Sequence, residues 1–237
     1  MVHTTLCQTI NHRAIMKNPD RMLKDIENEV ELSRQYTGID SLDARVIQVM
    51  KQVPRHEFLP DDLRYLAYEN GPAPIGSGQT ISQPYIVALM TDLLNTESGD
   101  VILEIGTGSG YQAAVLSKLV KLVYSVEIIE KLAKSARNRL NDLGYHNVVV
   151  RQANGYHGWP EYAPFDGIIV TAAVPHIPPA LIDQLAIGAS LVIPVGLAYC
   201  YQELMVLKKN ADNQVDSCVV LGVNFVPLTG IHNKDDN

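Results

Sequence analysis

Three glycines follow a short apolar segment in the middle of the chain, at every second position. Gly106, Gly108 and Gly110 come directly after residues 101–105, which read Val-Ile-Leu-Glu-Ile, and a helical pattern begins at Tyr111. Glycines between a strand and a helix let the backbone approach a ligand closely. Their spacing differs from the Gly-x-Gly-x-x-Gly of dinucleotide sites, and no Gly-Lys-Ser/Thr follows to hold a triphosphate. The run predicts a ligand-binding turn and disfavours NAD and ATP.

Two acidic residues extend this pattern. Glu104 lies inside the apolar segment, and Glu127 ends the next one, 23 positions later. A carboxylate at the end of the second strand of such a unit can accept hydrogen bonds from both ribose hydroxyls. These residues favour an adenosyl ligand without phosphates, a description that S-adenosylmethionine meets. The alternative is that the glycines only make a tight turn and that Glu127 is a surface charge.

A further candidate is a hydroxyl at a predicted helix start. Residues 71–80 are rich in turn formers, and Ser82 lies where this loop enters a helix that starts near Pro84. A hydroxyl and the free backbone N–H groups at a helix N-terminus can hold a carboxylate. The commonest use of serine before a helix is as a plain N-cap. The residues alone therefore favour a structural interpretation of Ser82.

The elements that must position these groups alternate in type. Apolar segments at 101–105, 122–126 and 148–152 predict strands, and the segments 111–120 and 130–143 between them predict helices. A βαβαβ order requires a parallel sheet. The same reasoning predicts further strands at 165–171, 189–194, 202–207 and 215–225.

Helices are also predicted before the sheet. Asn18 and Pro19 can start one, and Asp40 or Ser41 can cap a second that Pro54 stops. We divide the chain into an N-terminal extension at 1–18, a helical cap with a substrate loop at 19–95, a cofactor-binding α/β core at 96–230 that forms one compact domain with the cap, and a C-terminal tail at 231–237.

Six ordered blocks of sequence carry a family resemblance. They read VPRHEF at 53–58, PIGSGQTISQPY at 74–85, LEIGTGSGYQ at 103–112, PFDGIIVTAA at 164–173, IPVG at 193–196 and FVPL at 225–228. Together they resemble the protein-L-isoaspartate (D-aspartate) O-methyltransferase family. The glycine block is shared by methyltransferases in general, whereas the block at 74–85 is particular to this family. The resemblance implies an α/β, Rossmann-like class I methyltransferase fold, with a mostly parallel sheet, helices on both faces and an N-terminal helical cap.

The resemblance also implies the reaction. Members transfer the methyl group of S-adenosyl-L-methionine to the free carboxylate of L-isoaspartyl, and in the wider family D-aspartyl, residues of damaged proteins. S-adenosyl-L-homocysteine is the other product, and repair proceeds through a succinimide. Ser82 is implied as the catalytic residue, with substrate contacts from Gln79, Thr80, Ile81 and Ser82 itself. The cofactor residues expected from the turn pattern and the resemblance are Glu104, Gly106, Thr107, Gly108, Gly110, Glu127, Asn154, Gly155 and Thr171.

One position departs from the family pattern. The family has Gly-Asp-Gly after the third strand, whereas this chain reads Ala153-Asn154-Gly155. An asparagine at this point keeps a carbonyl acceptor for the adenine amino group and loses only the charge. We expect weaker cofactor binding from this change rather than none.

The overall composition narrows the partners. The 237 residues include 19 Lys and Arg against 26 Asp and Glu, and the net charge of −7 disfavours a phosphate backbone as substrate. Cys7, Cys200 and Cys218 fit neither a disulfide framework nor a zinc site. No apolar run approaches membrane-spanning length. We expect a cytoplasmic enzyme without a metal that acts on isoaspartyl proteins and peptides, not on nucleic acid or membranes. The oligomeric state is not predicted.

Two other functions fit parts of the pattern. The cofactor half of such a fold does not identify the acceptor, so the chain could methylate RNA, DNA or a small metabolite. Residues 171–175 read Thr-Ala-Ala-Val-Pro rather than the Asn/Asp-Pro-Pro-aromatic of base-amino methyltransferases, which disfavours a flipped base. The other alternative is a non-catalytic adenosyl-binding protein, and the Ser82 loop speaks against it.

Overall fold

The fold is an α/β sheet with helices on both faces. A computed structural model describes residues 18–198 and 200–230. Its strands are β1 Ala73–Gly76, β2 Gln79–Ile81, β3 Val101–Ile105, β4 Leu122–Glu127, β5 Val148–Gln152, β6 Phe165–Val170, β7 Leu185–Val195, β8 Gln202–Lys209 and β9 Val215–Val223. Its α-helices are α1 Pro19–Thr37, α2 Ala44–Gln52, α3 Pro84–Leu93, α4 Tyr111–Ser117, α5 Glu130–Asp142 and α6 Pro179–Asp183. Short 3₁₀ turns lie at Arg55–Phe58, Asp61–Leu66, Gly155–His157 and Pro160–Tyr162.

Seven strands form the central sheet in the order β5-β4-β3-β6-β7-β8-β9. The first five strands in this order are parallel, and β7, β8 and β9 are antiparallel neighbours. The predicted parallel βαβαβ unit is confirmed, and β5 has the predicted bounds. The chain runs outward from β3 to β5 and then returns to β6 on the other side of β3, which makes β3 the point where the winding reverses.

Two apolar cores cover the two faces of this sheet. Side chains of β3 alternate between them: Ile102 packs with the core under α3 and α4, whereas Leu103 and Ile105 pack with the opposite core. All three are fully buried. A strand that is buried on both faces reads as a continuous apolar run, as 101–105 does. The one exception in that run is Glu104.

The helical cap begins as predicted and continues with one correction. Asn18 caps α1 by accepting a hydrogen bond from the N–H of Arg21 at 3.1 Å. The cap of α2 is Asp43, so the expectation of Asp40 or Ser41 is wrong. The Asp43 carboxylate accepts from the Arg45 N–H at 2.7 Å, and the Arg45 side chain returns to the same carboxylate.

Other elements also differ from prediction. Helix α4 ends at Ser117 rather than near residue 120, because the Asn147 side chain donates to the carbonyls of Ser117 and Val120 and closes the helix end. The predicted loop at 71–80 contains an antiparallel hairpin of β1 and β2. Its tip, Ser77-Gly78, has φ of 54° and 72°, the left-handed pair that a tight hairpin turn requires.

Most of the predicted N-terminal extension, the predicted tail and Cys7 lie outside the described residues. Within 18–198 and 200–230, no helix has the length and apolar character needed to cross a membrane. The same ranges contain no cluster of three or more His, Cys, Asp or Glu that could hold a metal ion.

Candidate active site

A cleft opens at the carboxyl ends of β3, β4 and β6, where the winding of the sheet reverses. Its empty space, open to solvent on one side, is about 720 Å³. We call it the inner cleft. Ten of the predicted site residues line it: Gln79, Thr80, Ile81, Ser82, Gly106, Thr107, Gly108, Glu127, Gly155 and Thr171. The remaining three, Glu104, Gly110 and Asn154, are not among its lining residues.

The glycine turn after β3 has the backbone geometry that its sequence predicts. Gly106 and Gly108 have φ of 98° and 53°, in the region that glycine tolerates best. A Cβ atom on Gly106 would lie 2.5 Å from Oγ1 of Thr171, so a side chain there would displace the end of β6. Gly110 serves helix packing instead, because its Cβ would meet Leu140 of α5 at 3.1 Å. This explains why Gly110 is a glycine without lining the cleft.

The Glu127 carboxylate is held at the end of β4 by backbone groups. It accepts from the N–H of Gly108 at 2.8 Å and from the N–H of Ile129 at 2.9 Å, one bond to each oxygen. The residue is buried and lines the inner cleft. Each carboxylate oxygen can accept a second hydrogen bond, so both retain capacity for a ligand. The geometry fits the recognition of two adjacent hydroxyl groups.

Glu104 lies beneath the glycine turn rather than in the cleft. It is fully buried, and one of its oxygens accepts a hydrogen bond from Ser125, whose hydroxyl is 2.6 Å from that of Thr107. Burial raises the pKa of Glu104 to about 8, and the nearby negative charge of Glu127 adds to the shift. At neutral pH the carboxyl group is therefore largely protonated. Its hydrogen-bond chain reaches the cleft only through Thr107, so we expect it to support the turn instead of contacting a ligand.

Asn154 is also not among the lining residues of the inner cleft. Its side-chain carbonyl accepts from the N–H of Tyr156 at 3.1 Å and caps the 3₁₀ turn that begins at Gly155. Gly155 itself lines the cleft. A Cβ on it would lie 2.5 Å from Ile105, which leaves no space for a larger residue. The Asn-Gly pair is thus a turn of which Gly155, but not Asn154, is among the lining residues of the inner cleft.

Ser82 lies between the β1–β2 hairpin and helix α3. The cap residue of α3 is Gln83, and its first turn has no side-chain cap. The Ser82 hydroxyl therefore does not act as the N-cap that sequence statistics favour. The Ser82 residue lines the inner cleft and is half-buried.

A second cleft, the outer cleft, joins the first at Ser82. Its empty space is about 1340 Å³. Its other lining residues come from α1 and α3, from the β1–β2 hairpin region, from positions next to β6 and β8, and from β9 and the segment after it: Glu29, Ser33, Pro72, Thr80, Gln83, Tyr85, Ile86, Thr171, Tyr201, Leu221, Gly222, Val223, Asn224, Phe225 and Val226. Four residues line both clefts: Thr80, Ser82, Thr171 and Val226.

The predicted site residues do not include the segment that follows β9. Residues 226–229 line the inner cleft, although only the FVPL block hinted at a role for them. The segment is held by backbone bonds of Ala173 with Val226 and Leu228, each 2.8 Å long. The fully buried Gln202 side chain also pairs with the backbone N–H and carbonyl of Phe225, at 2.6 and 3.1 Å. Gln202 and Phe225 are 23 positions apart, so no short sequence pattern predicts their contact.

The clefts are nearly free of charged side chains. Among the described lining residues, Glu127 in the inner cleft and Glu29 in the outer cleft carry the only formal charges. Neither lining includes a lysine, arginine or histidine. Among the described residues, a cation that acts on a ligand at the junction therefore lies outside the lining of the two clefts.

The sequence model of the protein-L-isoaspartate(D-aspartate) O-methyltransferase family matches residues 28–233, a span that includes the described lining of both clefts. The chain belongs to this family. A protein-L-isoaspartate O-methyltransferase 2 of Nitrosococcus oceani is 59% identical over 92% of this chain and 99% of its own length. One of a Polaromonas species is 57% identical over 88% of this chain and 99% of its own.

Solved structures of the family share the fold. A protein-L-isoaspartate O-methyltransferase with 27% identity aligns over 90% of this chain and 66% of its own, longer chain, with a TM-score of 0.76. A Plasmodium falciparum protein described as a putative member, solved with S-adenosyl-L-homocysteine, aligns over 92% of this chain and 98% of its own. Its TM-score is 0.71 and its identity 24%, so it bears on the fold alone.

Family membership gives the reaction. The enzyme transfers a methyl group from S-adenosylmethionine to the free carboxylate of isoaspartyl residues in damaged proteins. The methyl ester is a better electrophile than the carboxylate. The following backbone nitrogen attacks it, methanol leaves and a succinimide forms, which water opens partly to normal aspartate. The two clefts share lining residues and open next to each other.

Proposed function

We propose that the inner cleft holds the methyl donor, that the outer cleft holds the isoaspartyl segment, and that methyl transfer takes place at their junction. The observation that carries this proposal is the pair of clefts that share Ser82 and Thr171. A displacement reaction needs its two reactants in contact and in line, and a shared wall is the only place where occupants of both clefts could meet.

The donor side is supported by the chemistry of the inner cleft. Glu127 would accept hydrogen bonds from the ribose hydroxyls, while the backbone of Gly106, Gly108 and Gly155 would approach the rest of the ligand closely. S-adenosylmethionine supplies a methyl group that a sulfonium already activates. The residues of this chain need only bind, orient and exclude water, and the glycines make room for that close fit.

The acceptor side depends on Ser82. Its hydroxyl, which is free of the helix cap, would donate a hydrogen bond to the isoaspartyl carboxylate and orient one oxygen toward the methyl group. A carboxylate is ionised at neutral pH, so no general base is needed. Gln79, Thr80 and Ile81 of strand β2 would form the wall beside it. The β1–β2 hairpin is thus the element that sets the acceptor's position.

Both predicted segments contribute to both clefts. Residues 19–95 supply α1, the hairpin and α3, and residues 96–230 supply the glycine turn, Glu127 and the chain around β9. Protein, and not nucleic acid, is the acceptor that we propose, since no basic side chain lines the outer cleft among the described residues. The unpaired thiols of Cys200 and Cys218 fit the reducing conditions of the cytoplasm, where we place the enzyme.

This arrangement is tested by measuring turnover and cofactor affinity separately in a Ser82 variant. Ser82→Ala removes an acceptor contact, so we expect turnover of an isoaspartyl peptide to fall about 10- to 100-fold, the usual range for a hydrogen bond to a charged group. The dissociation constant of S-adenosylmethionine, measured by calorimetry, should stay unchanged. Ser98→Ala, an exposed serine, is the matched control. Full activity in Ser82→Ala, or an equal loss of cofactor affinity, would refute the proposed junction.

A further inference from the structure

Arg55 is a fully buried arginine directly behind the Ser82 wall. It opens the 3₁₀ turn after α2 and has no exposed surface. Its Nε donates to the carbonyl of Ala67 at 2.8 Å, and its Nη2 donates to the carbonyl of Ser82 at 2.7 Å. The guanidinium carbon lies 4.8 Å from the centre of the Tyr111 ring. Arg55 thus ties the Ser82 backbone to the base of the helical cap.

The charge of this arginine has no anionic partner among the described residues. No carboxylate lies within salt-bridge distance of Arg55, and its Nη1 has no hydrogen-bond partner there. Burial lowers its pKa to about 10, so the group remains charged at neutral pH. A buried charge without a counter-ion is costly, because burial removes the water that would solvate it. The retained charge therefore calls for a functional explanation.

The acceptor that this enzyme must bind is an anion. The described lining of the outer cleft contains no cation, and the charged side chains in the lining of the two clefts, Glu29 and Glu127, are both acids. Arg55 is one hydrogen bond away from Ser82, which lines both clefts. A positive charge in a buried, weakly screened place acts over longer distances than one in water. Arg55 can therefore offset the acidic lining at the junction.

We infer that Arg55 is a positioning residue with two effects: it holds the Ser82 backbone at the junction of the clefts, and its unpaired charge favours the ionised carboxylate of the isoaspartyl substrate over a neutral group. This inference rests on the proposed binding of the acceptor at Ser82. The ligand that Arg55 favours is an anionic carboxylate. Arg55 acts on it through long-range electrostatic attraction and not through a direct contact. Arg55 itself touches neither reactant.

A pair of peptides separates the charge from the anchoring. One carries an isoaspartyl residue with its free α-carboxylate, and the other has an α-carboxamide in the same place. Their affinities for the enzyme are measured by calorimetry with saturating S-adenosylhomocysteine. Arg55→Gln removes the charge but keeps an N–H donor, whereas Arg55→Lys keeps the charge. Arg45→Gln, an exposed arginine paired with Asp43, is the matched control.

We expect the wild type and Arg45→Gln to prefer the carboxylate peptide. In Arg55→Gln, the ratio of the two affinities should fall about tenfold. This change corresponds to the attraction of two unit charges roughly 10 Å apart at an effective dielectric constant of about 20. Arg55→Lys should recover most of the wild-type preference. A merely structural role would weaken both peptides equally and leave their ratio unchanged in Arg55→Gln. That result, or an equal loss of preference in Arg55→Lys, would overturn the inference.

Thermal melting of each variant shows whether it folds. If the Arg55 variants do not fold, equal affinity of the wild type for the two peptides would still overturn the inference. Failure of the proposed function gives a different result. If Ser82→Ala retained full turnover while the wild type still preferred the carboxylate peptide, the placement of the acceptor at Ser82 would be wrong, not the preference for an anion.

Discussion

The inner and outer clefts are built in different ways. The inner cleft is lined mainly by turns that directly follow strands β3, β4 and β6, with further residues from the hairpin and from the segment after β9, and the one charged side chain in its described lining is Glu127. The outer cleft is assembled from α1, α3, the hairpin and the chain around β9, and its nearest described cation, by hydrogen-bond connection, is Arg55 behind Ser82. The donor side therefore depends on local backbone geometry, whereas the acceptor side depends on tertiary contacts.

This difference predicts which changes affect which ligand. Substitutions in the glycine turn should lower the affinity for S-adenosylmethionine. When S-adenosylmethionine is saturating, they should leave the affinity for the isoaspartyl peptide unchanged. Substitutions on the hairpin or behind it should do the reverse.

The largest effect on the donor side is expected for Gly106→Val. Its positive φ strains a β-branched residue, and the new Cβ would lie 2.5 Å from Thr171 Oγ1. We expect S-adenosylmethionine affinity to fall by about 2 to 4 kcal/mol, from strain and overpacking together. Gly99→Val is the control, since a Cβ there meets nothing within 4 Å. Equal affinity in both variants would remove the glycine turn from the donor site.

A smaller loss is expected for Glu127→Ala. Removing charge-assisted hydrogen bonds to the ribose should weaken S-adenosylmethionine binding by about 1.5 to 3 kcal/mol in calorimetry. Glu127→Gln keeps one acceptor oxygen and should lose less. Glu130→Ala, an exposed acid at the start of α5, serves as the control. An unchanged dissociation constant in a folded Glu127→Ala protein would mean that the ribose lies elsewhere.

Glu104 should influence stability through pH. Its pKa rises from 4.5 to about 8 on folding. Between these values the folded protein holds a proton that the unfolded chain has released, so its stability falls as the pH rises. Glu104→Gln should reduce that fall, between pH of about 5 and 8, by at least ~1 kcal/mol in urea unfolding. A pH dependence identical to that of the wild type would show that Glu104 is already ionised in the folded state.

The smallest effect is expected for Asn154→Asp. The side chain caps its own turn and does not line the inner cleft. We expect the affinity for S-adenosylmethionine to stay within about twofold of the wild-type value. A tenfold change in either direction would return Asn154 to the cofactor site that the family pattern implies.

The sequence predicted the donor side better than the acceptor side for a physical reason. Strand β5 and the turn at Gly106 follow from patterns within a few residues. Glu104 satisfies the same pattern but is buried beneath the turn, because a side chain in a strand can point to either face. Sequence alone gives no sign of that choice.

The acceptor side could not be predicted from local sequence patterns. Statistics favour Ser82 as an N-cap, and only the family resemblance indicates a substrate role. The contacts of Gln202 with Phe225 and of Arg55 with Ser82 join residues 23 and 27 positions apart. No periodicity encodes such pairs. Likewise, the residue types at Ser77-Gly78 predict a turn. They do not show that β1 and β2 on its two sides pair as strands.

The most direct test of the account compares two peptides that differ only in whether one residue is isoaspartate or ordinary aspartate. The isoaspartyl form shifts the following backbone by one methylene, and a site that orients the attacking oxygen at Ser82 should register that shift as a misplaced nucleophile. With tritiated S-adenosylmethionine, we predict methyl transfer to the isoaspartyl peptide at a rate at least about 100-fold above that of the aspartyl peptide. Equal rates on the two peptides would contradict the account.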